Sequence, residues 1–412
     1  MINIHNKQDC SGCSACVQRC PRQCIALIED EEGFLYPQVD PTSCIDCGLC
    51  ERVCPVIHQH QPRTSLRVYA AVNANEEVRQ SSSSGGLFIP LAEKVIEAGG
   101  VVFGVKWNHH FEAIHAYTEV KEELIEFQGS KYVQSRVGET FKQAEQFLKQ
   151  GRKVLYSGTP CQIAALKLFL RKSYENLLTI DFVCHGVPSP GVFRWYLAEE
   201  INKTLHAKQN LKTQNLSSVP TADAIASEHG FKIENIRFRD KRTGWKFHSF
   251  VLTLKQLSQS KQEESILECT YRSDKSPYMR GFSADLYNRP SCHACLARMG
   301  KSGSDITLAD YWGIEQIHPQ LNDNKGTSAL LVNTKQGEDA LLSLDVNLYP
   351  STLEDFSKHN HAYAHSFPSP PSRTTFFKMH GKTFYQRIKK LYHLPLSYRI
   401  KLFIKGLITS MP

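Results

Sequence analysis

The chain has 412 residues, 41% hydrophobic and 22% charged, with fourteen cysteines and a formal net charge of +8. That balance excludes disordered and fibrous classes, and the length allows two or three domains with real cores. Residues 356–412 hold ten Lys and Arg and no acid, which leaves 39 basic against 41 acidic residues before them, so no nucleic-acid footprint is expected of the fold as a whole.

Met1 to Asp9 (MINIHNKQD) shows no basic start followed by an apolar stretch, and no run approaches eighteen apolar residues. A reducing, cytoplasmic setting is therefore expected, in which grouped cysteines bind metal or do redox chemistry more often than they pair as disulfides. Nine of the fourteen cysteines fall within the first 54 positions. Cys10, Cys13, Cys16, Cys20 and Pro21 recur 34 positions later as Cys44, Cys47, Cys50, Cys54 and Pro55. Between the copies EDEEGFLYPQVDPTS suggests a short hairpin, and residues 59–66 read as the linker that closes a first domain over 1–64. C-x2-C-x2-C-x3-C-P is the ligand run of bacterial two-cluster ferredoxins, in which the fourth cysteine serves the other cluster. Cys10, Cys13, Cys16 and Cys54 are thus expected to hold one 4Fe-4S cluster, and Cys44, Cys47, Cys50 and Cys20 the second. A pair of zinc sites is the alternative. Cys24 reads as packing.

From Val68 the pattern becomes alternating strands and helices. Val68 to Asn73 reads as a strand, Leu87 to Ala98 as a helix with Pro90 in its first turn, and Gly100 to Val105 as an apolar strand. Thr140 to Gln150 is an amphipathic helix. Lys153 to Tyr156, the turn SGTP and the helix Gln162 to Arg171 form one strand-turn-helix unit. Leu177 to Val183, the loop Cys184 to Pro190 and the helix Val192 to Asn202 form another. Two such units imply a partly parallel sheet with right-handed crossovers, whose ligands sit beyond the carboxyl ends of the strands. Residues 206–229 are polar and are expected to be an exposed insertion, with strands returning at Ile236 to Arg239 and Ser249 to Leu254. The fold class expected is mixed α/β, a small ferredoxin-like domain followed by a larger domain over 65–355. A basic extension over 356–412 opens on the Pro/Ser-rich SFPSPPS and ends in an amphipathic pattern broken at Pro395. That extension reads as a solvated helix pair on the body, with a partner or anionic membrane surface as the sharper alternative.

Cys161 ends the turn SGTPC, Cys184 stands in the equivalent turn after the next strand, and Cys292 and Cys295 form RPSCHAC before the strand SDITLADYWG. Two single thiols from neighbouring strand ends and one C-x2-C make four convergent ligands, for a third 4Fe-4S cluster, for zinc, or for a dithiol-disulfide relay. His185 and His293 could each donate a hydrogen bond near a cluster cysteine. Asp305, Asp310 and Trp312 are expected to shape the fold, and His359, His361 and His365 to be solvated.

In order, SSSSGG, GSKYVQS, SGTPCQIAAL, DFVCHGVPSPGVF, RDKRTGW, RPSCHAC and SDITLADYWGI resemble the coenzyme F420 hydrogenase/dehydrogenase beta-subunit family, here behind a ferredoxin module. The resemblance implies that Cys161, Cys184, Cys292 and Cys295 ligate a 4Fe-4S cluster beside a bound FAD. SSSSGG before a helix then becomes a phosphate site, with Ser83, Ser84 and close backbone approach at Gly85 and Gly86, where the residues alone read first as a flexible serine-capped turn. Lys131 and Tyr132 become candidates for the flavin ring. The function expected is a flavin-dependent iron-sulfur oxidoreductase with a small-molecule substrate and a redox partner protein, a ferredoxin or another oxidoreductase. A relay subunit without its own substrate is the alternative, and a regulatory or structural use of the clusters is a third.

Overall fold

The computed structural model describes residues 1–206, 216–257, 265–342 and 344–392. The N-terminal domain carries the antiparallel hairpin β1 (Ile25–Glu29) and β2 (Leu35–Val39) between the two cysteine runs, as the turn-forming residues suggest. Asp30 closes the turn by accepting the amides of Glu32 and Phe34 through one carboxylate oxygen, a side-chain turn that aspartate favours. The sequence repeat extends to the backbone. Gly12 and Asp46, and Ser14 and Gly48, are left-handed at matching positions, and each pair precedes a matching short helix, Ala15–Arg19 or Leu49–Arg52.

The large domain is built on β3 (Arg67–Asn73), β4 (Val101–Trp107), β5 (Ala113–Thr118), β6 (Val154–Ser157) and β7 (Leu177–Phe182). A separate antiparallel sheet contains β8 (Phe231–Asp240), β9 (Ser249–Gln256) and β10 (Ile266–Arg272). The chain then returns to the first sheet with β11 (Ile306–Asp310), β12 (Ser328–Val332) and β13 (Val346–Ser351). The eight strands lie in the order β13-β3-β12-β11-β7-β6-β4-β5. The four central strands β11, β7, β6 and β4 are parallel, and the rest pair antiparallel, so the sheet is partly parallel as expected. Helices Phe88–Glu97 and Thr140–Lys149 match the sequence reading within two residues. Helix Pro160–Leu170 begins earlier than expected because Thr159 and Gln162 cap it reciprocally and Pro160 occupies a first-turn position where a missing N–H costs nothing.

Two expectations are corrected. Residues 216–229 are not an exposed insertion: Leu216, Val219, Ala222, Ile225 and Ala226 are buried in the core shared with helix Pro190–Thr204 and the three-stranded sheet. Their apolar spacing is helical but diluted by Ser, Asp and Glu, which is why composition hid it. Residues 207–215 lie outside the described residues. Of the C-terminal helix pair, the first forms as Phe384–Leu391, but its Phe384 and Ile388 sit in the same core, so its apolar face is not free for a membrane. Its start is held by Glu199, which accepts the Phe384 and Tyr385 amides. Pro395 and the second half of the pattern lie outside the described residues. No helix among the described residues is long and apolar enough to cross a membrane.

Candidate functional site

The two ferredoxin runs interleave. One small cavity is lined by Cys10, Cys13, Cys16 and Cys54, and a second by Cys20, Cys44, Cys47 and Cys50. Cys24, read from sequence as packing, also lines the second cavity, with its Sγ 3.4 Å from that of Cys20. Left-handed Asp46 donates its amide to Cys44 Sγ at 3.4 Å, and the N-terminal segment adds the Ile2 amide, which donates to Cys50 Sγ at 3.3 Å. Among the described residues no three His, Cys, Asp or Glu side chains close on one point as ligands of a single ion do. Four soft thiols around a space, with amides directed at sulfur, fit an iron-sulfur cluster.

The third group assembles from three segments. Cys161 lies in the first turn of helix Pro160–Leu170 beyond β6, Cys184 follows β7, and Cys292 lies within the 3-10 turn Pro290–Ala294 that Cys295 ends. Burial pushes the Cys161 thiol up to about 11, with Cys295 adding to it, and pushes Cys292 up to about 12. Cys184 is raised by burial and then by Cys292, Cys161 and Cys295, so the four share one environment. Thr159 Oγ1 lies 3.2 Å from Cys161 Sγ, and the Val187 amide donates to Cys292 Sγ at 3.4 Å. The two neighbouring histidines serve other partners: His185 Nε2 pairs with Asp285 at 3.0 Å and His293 Nδ1 with the Phe367 carbonyl at 2.9 Å.

A cleft of about 1080 Å³ opens between the large sheet and β8, lined by Ser83, Trp107, Lys131, Phe238, Arg239, Lys241 and Arg242 among others. Of the six residues expected at a flavin, Ser83 and Lys131 line it and Ser84, Gly85, Gly86 and Tyr132 do not. The expectation that Gly85 and Gly86 open toward a phosphate is not met. The Gly85 amide donates to Ser328 Oγ, its carbonyl accepts from Asn73, and Asn73 Nδ2 holds the Gly86 carbonyl. Ser84 Oγ is spent on the Thr327 carbonyl. These glycines serve close backbone packing: a Cβ on Gly85 would lie 2.3 Å from the Ala71 carbonyl oxygen. Tyr132 accepts from Arg239 at 3.1 Å and packs edge-on against Phe238.

Lys131 gives its ammonium to the carbonyls of Glu126, Gln128 and Gly129, and burial lowers it to about 7 against the pull of Glu126. Lys241 donates to the carbonyls of Arg79 and Ser84, and burial followed by Arg239 and Arg79 brings it to about 7 as well. Arg239 forks onto Asp310, which also accepts from Trp245 Nε1 at 3.1 Å. Asp305 accepts the Thr179 amide and hydroxyl, a structural use of the kind the sequence suggested. Sequence reasoning missed Arg239 and Lys241 as cleft residues, although RDKRTGW carries both. The signal was a run of cations at the end of a strand.

The third cysteine group and the cleft are joined by rings. His185, next to Cys184, meets Phe282 at 5.1 Å between centroids, Phe282 meets Tyr132 at 5.0 Å, and Tyr132 meets Phe238 on the cleft wall at 5.6 Å.

Residues 151–349 match the family described as the C terminus of the coenzyme F420 hydrogenase/dehydrogenase beta subunit, and residues 9–57 match the 4Fe-4S dicluster domain. An uncharacterized protein of Methanocaldococcus jannaschii is 28% identical over 201 residues, which is 41% of this chain and 54% of that protein. A 7Fe ferredoxin of Hydrogenibacillus schlegelii is 49% identical over 43 residues, 10% of this chain and 49% of the ferredoxin. The chain thus spans about half the length of each of these relatives. A chain of the F420-reducing NiFe hydrogenase complex from Methanosarcina barkeri superposes with a TM-score of 0.42 and 14% identity, covering 75% of this chain and 97% of that one.

Proposed function

Because the chain joins a 4Fe-4S dicluster domain to the C-terminal domain of the coenzyme F420 hydrogenase/dehydrogenase beta subunit, we propose that it is a flavin-dependent iron-sulfur oxidoreductase. The observation that carries this reading is the unbroken line of rings from Cys184 through His185, Phe282 and Tyr132 to the cleft wall, which sets a thiol quartet beside a cavity of cofactor size. Bound clusters supply one-electron chemistry, and a bound FAD supplies the exchange between single electrons and a hydride for a small-molecule substrate. The chain's own part is to hold and orient. Cys10, Cys13, Cys16 and Cys54, then Cys20, Cys44, Cys47 and Cys50, would hold two clusters, and Cys161, Cys184, Cys292 and Cys295 a third. Ser83, Lys131, Lys241 and Arg242 offer the hydroxyl and cations that suit phosphates and an electron-rich ring.

A relay subunit serving a partner enzyme is the second reading. It is favoured by the exposed apolar side chains of Ile28, Ile45 and Ile57 on the ferredoxin domain, where a redox partner protein would dock. Turnover separates the two. Given an artificial one-electron donor, the isolated chain should reduce a small-molecule acceptor at a rate that falls when Cys161→Ser is introduced. A relay is inactive until its partner is added.

A further inference from the structure

We propose that Arg289 is the counter-charge at the junction between the ferredoxin domain and the body, and that it raises the reduction potential of the cluster held by Cys10, Cys13, Cys16 and Cys54. This rests on the cluster assignment above and adds a residue to it.

Arg289 has no exposed surface, and among the described residues its guanidinium hydrogen-bonds no carboxylate. Its donors go to neutral groups with one exception: Nε to the Cys10 carbonyl at 2.7 Å, Nη1 to Gln134 Oε1 at 3.0 Å, Nη2 to the Leu35 carbonyl at 3.0 Å, and Nη2 to Cys10 Sγ at 3.5 Å. The rings of Tyr36 and Phe34 stack against it at 4.3 and 5.3 Å. A guanidinium does not shed its proton, so burial cannot neutralise it as it neutralises a lysine. A buried charge without an opposite charge is strongly disfavoured. Among the described residues the only hydrogen-bond acceptor of the guanidinium that can carry negative charge is the Cys10 sulfur, and it does so when it ligates a cluster; the same charge also acts at longer range on Cys161 and Cys292.

The backbone of the same residue serves the other group. Its carbonyl accepts the Cys292 amide at 2.9 Å, and its amide is held by the Val187 carbonyl. Gly12 leaves the space: a Cβ there would lie 2.8 Å from Arg289 Nη1. Arg289 therefore ties the first cysteine group to the third. A positive charge and an N–H at a ligand sulfur favour the more negative, reduced form of a cluster.

The test uses the full chain, reconstituted anaerobically, with iron content and potentials followed by electron paramagnetic resonance during redox titration. Arg289→Gln should keep its iron and move at least one couple negative by at least tenfold in its equilibrium, 59 mV for one electron. Arg289→Lys, which keeps the charge, should move it by less than half as much. Iron-replete Arg289→Gln with unmoved potentials overturns the assignment. If Arg289→Gln loses iron, Arg289→Lys decides: iron retained there supports a need for charge, and equal loss in both variants overturns it in favour of shape alone. A wild-type chain that takes up no iron sinks the functional reading, and this assignment with it.

Discussion

Arg289 and Cys10, 279 residues apart, meet through a guanidinium that spans the carbonyl and the sulfur of the cysteine, so the ferredoxin domain is docked onto the body. Other contacts seal the same seam. Gln134 donates to the Ser11 carbonyl, Gln18 accepts the Phe141 amide, and Gly33 lies against Gly191 so closely that a Cβ on either would strike the other's backbone. Docking brings the first and third cysteine groups together, which a flexible linker would not do.

The seam includes a largely buried ion pair, Arg373 forked onto Glu32, in which a residue of the C-terminal segment grips the ferredoxin hairpin. Removing one member leaves the other charge without its partner. Arg373→Leu should therefore destabilise the folded chain by about 3 kcal/mol in urea denaturation, and should speed proteolysis within 59–66. Unchanged cleavage would show that the seam holds without this pair.

The interleaving of ligands has a double-mutant signature. Cys13 and Cys54 line one cavity and Cys20 the other. Residues that serve one unit are not additive, whereas residues of independent units are. Cys13→Ser combined with Cys54→Ser should thus lose about as much iron as either alone, and Cys13→Ser with Cys20→Ser about twice as much. Additive loss in the first pair would contradict the interleaving.

Gly85 is fixed by space. A Cβ would fall 2.3 Å from the Ala71 carbonyl oxygen and 2.7 Å from the Ser328 amide, both in the backbone of the central sheet. Gly85→Ala should cost about 1–3 kcal/mol of stability, read by chemical denaturation, because neither strand can retreat without breaking its ladder.

The cleft should bind anions in a pH-dependent way. Burial holds Lys131 and Lys241 near 7, and a bound phosphate favours their charged forms, which raises both. Affinity for FAD should therefore be level below pH 7 and fall as pH rises above it, with proton uptake on binding at pH 8 measurable by calorimetry in buffers of different ionisation enthalpy. Lys241→Arg, charged throughout, should flatten part of that slope.

The grouping of the eight ferredoxin cysteines around two cavities was legible because their spacing follows local geometry, a loop of left-handed residues that encloses one cavity and a helix that presents the fourth thiol to the other. Cys161, Cys184, Cys292 and Cys295 were legible as candidates, since strand ends and a C-x2-C loop restrict where thiols can point. The cleft was only half legible. Ser83 and Lys131 reach it, but SSSSGG has the composition of a phosphate loop while its glycines answer to the packing of β3 and β12. Arg239, Lys241 and Arg289 stood inside the motifs RDKRTGW and RPSCHAC, but their roles were not legible, because an arginine or lysine in sequence looks like surface charge. Only the fold reveals that Arg289 is buried against sulfur. The segment 216–229 misled for the opposite reason, its polar residues masking an apolar face that the core absorbs.

Three thiol quartets that hold clusters, and a cleft that holds a flavin, fix the metal and flavin content of the chain. Metal and flavin analysis of the anaerobically purified full chain tests it most directly. About twelve iron atoms with matching sulfide and one FAD per chain are expected, at four irons for each quartet. Zinc in place of iron, with no flavin, would contradict it.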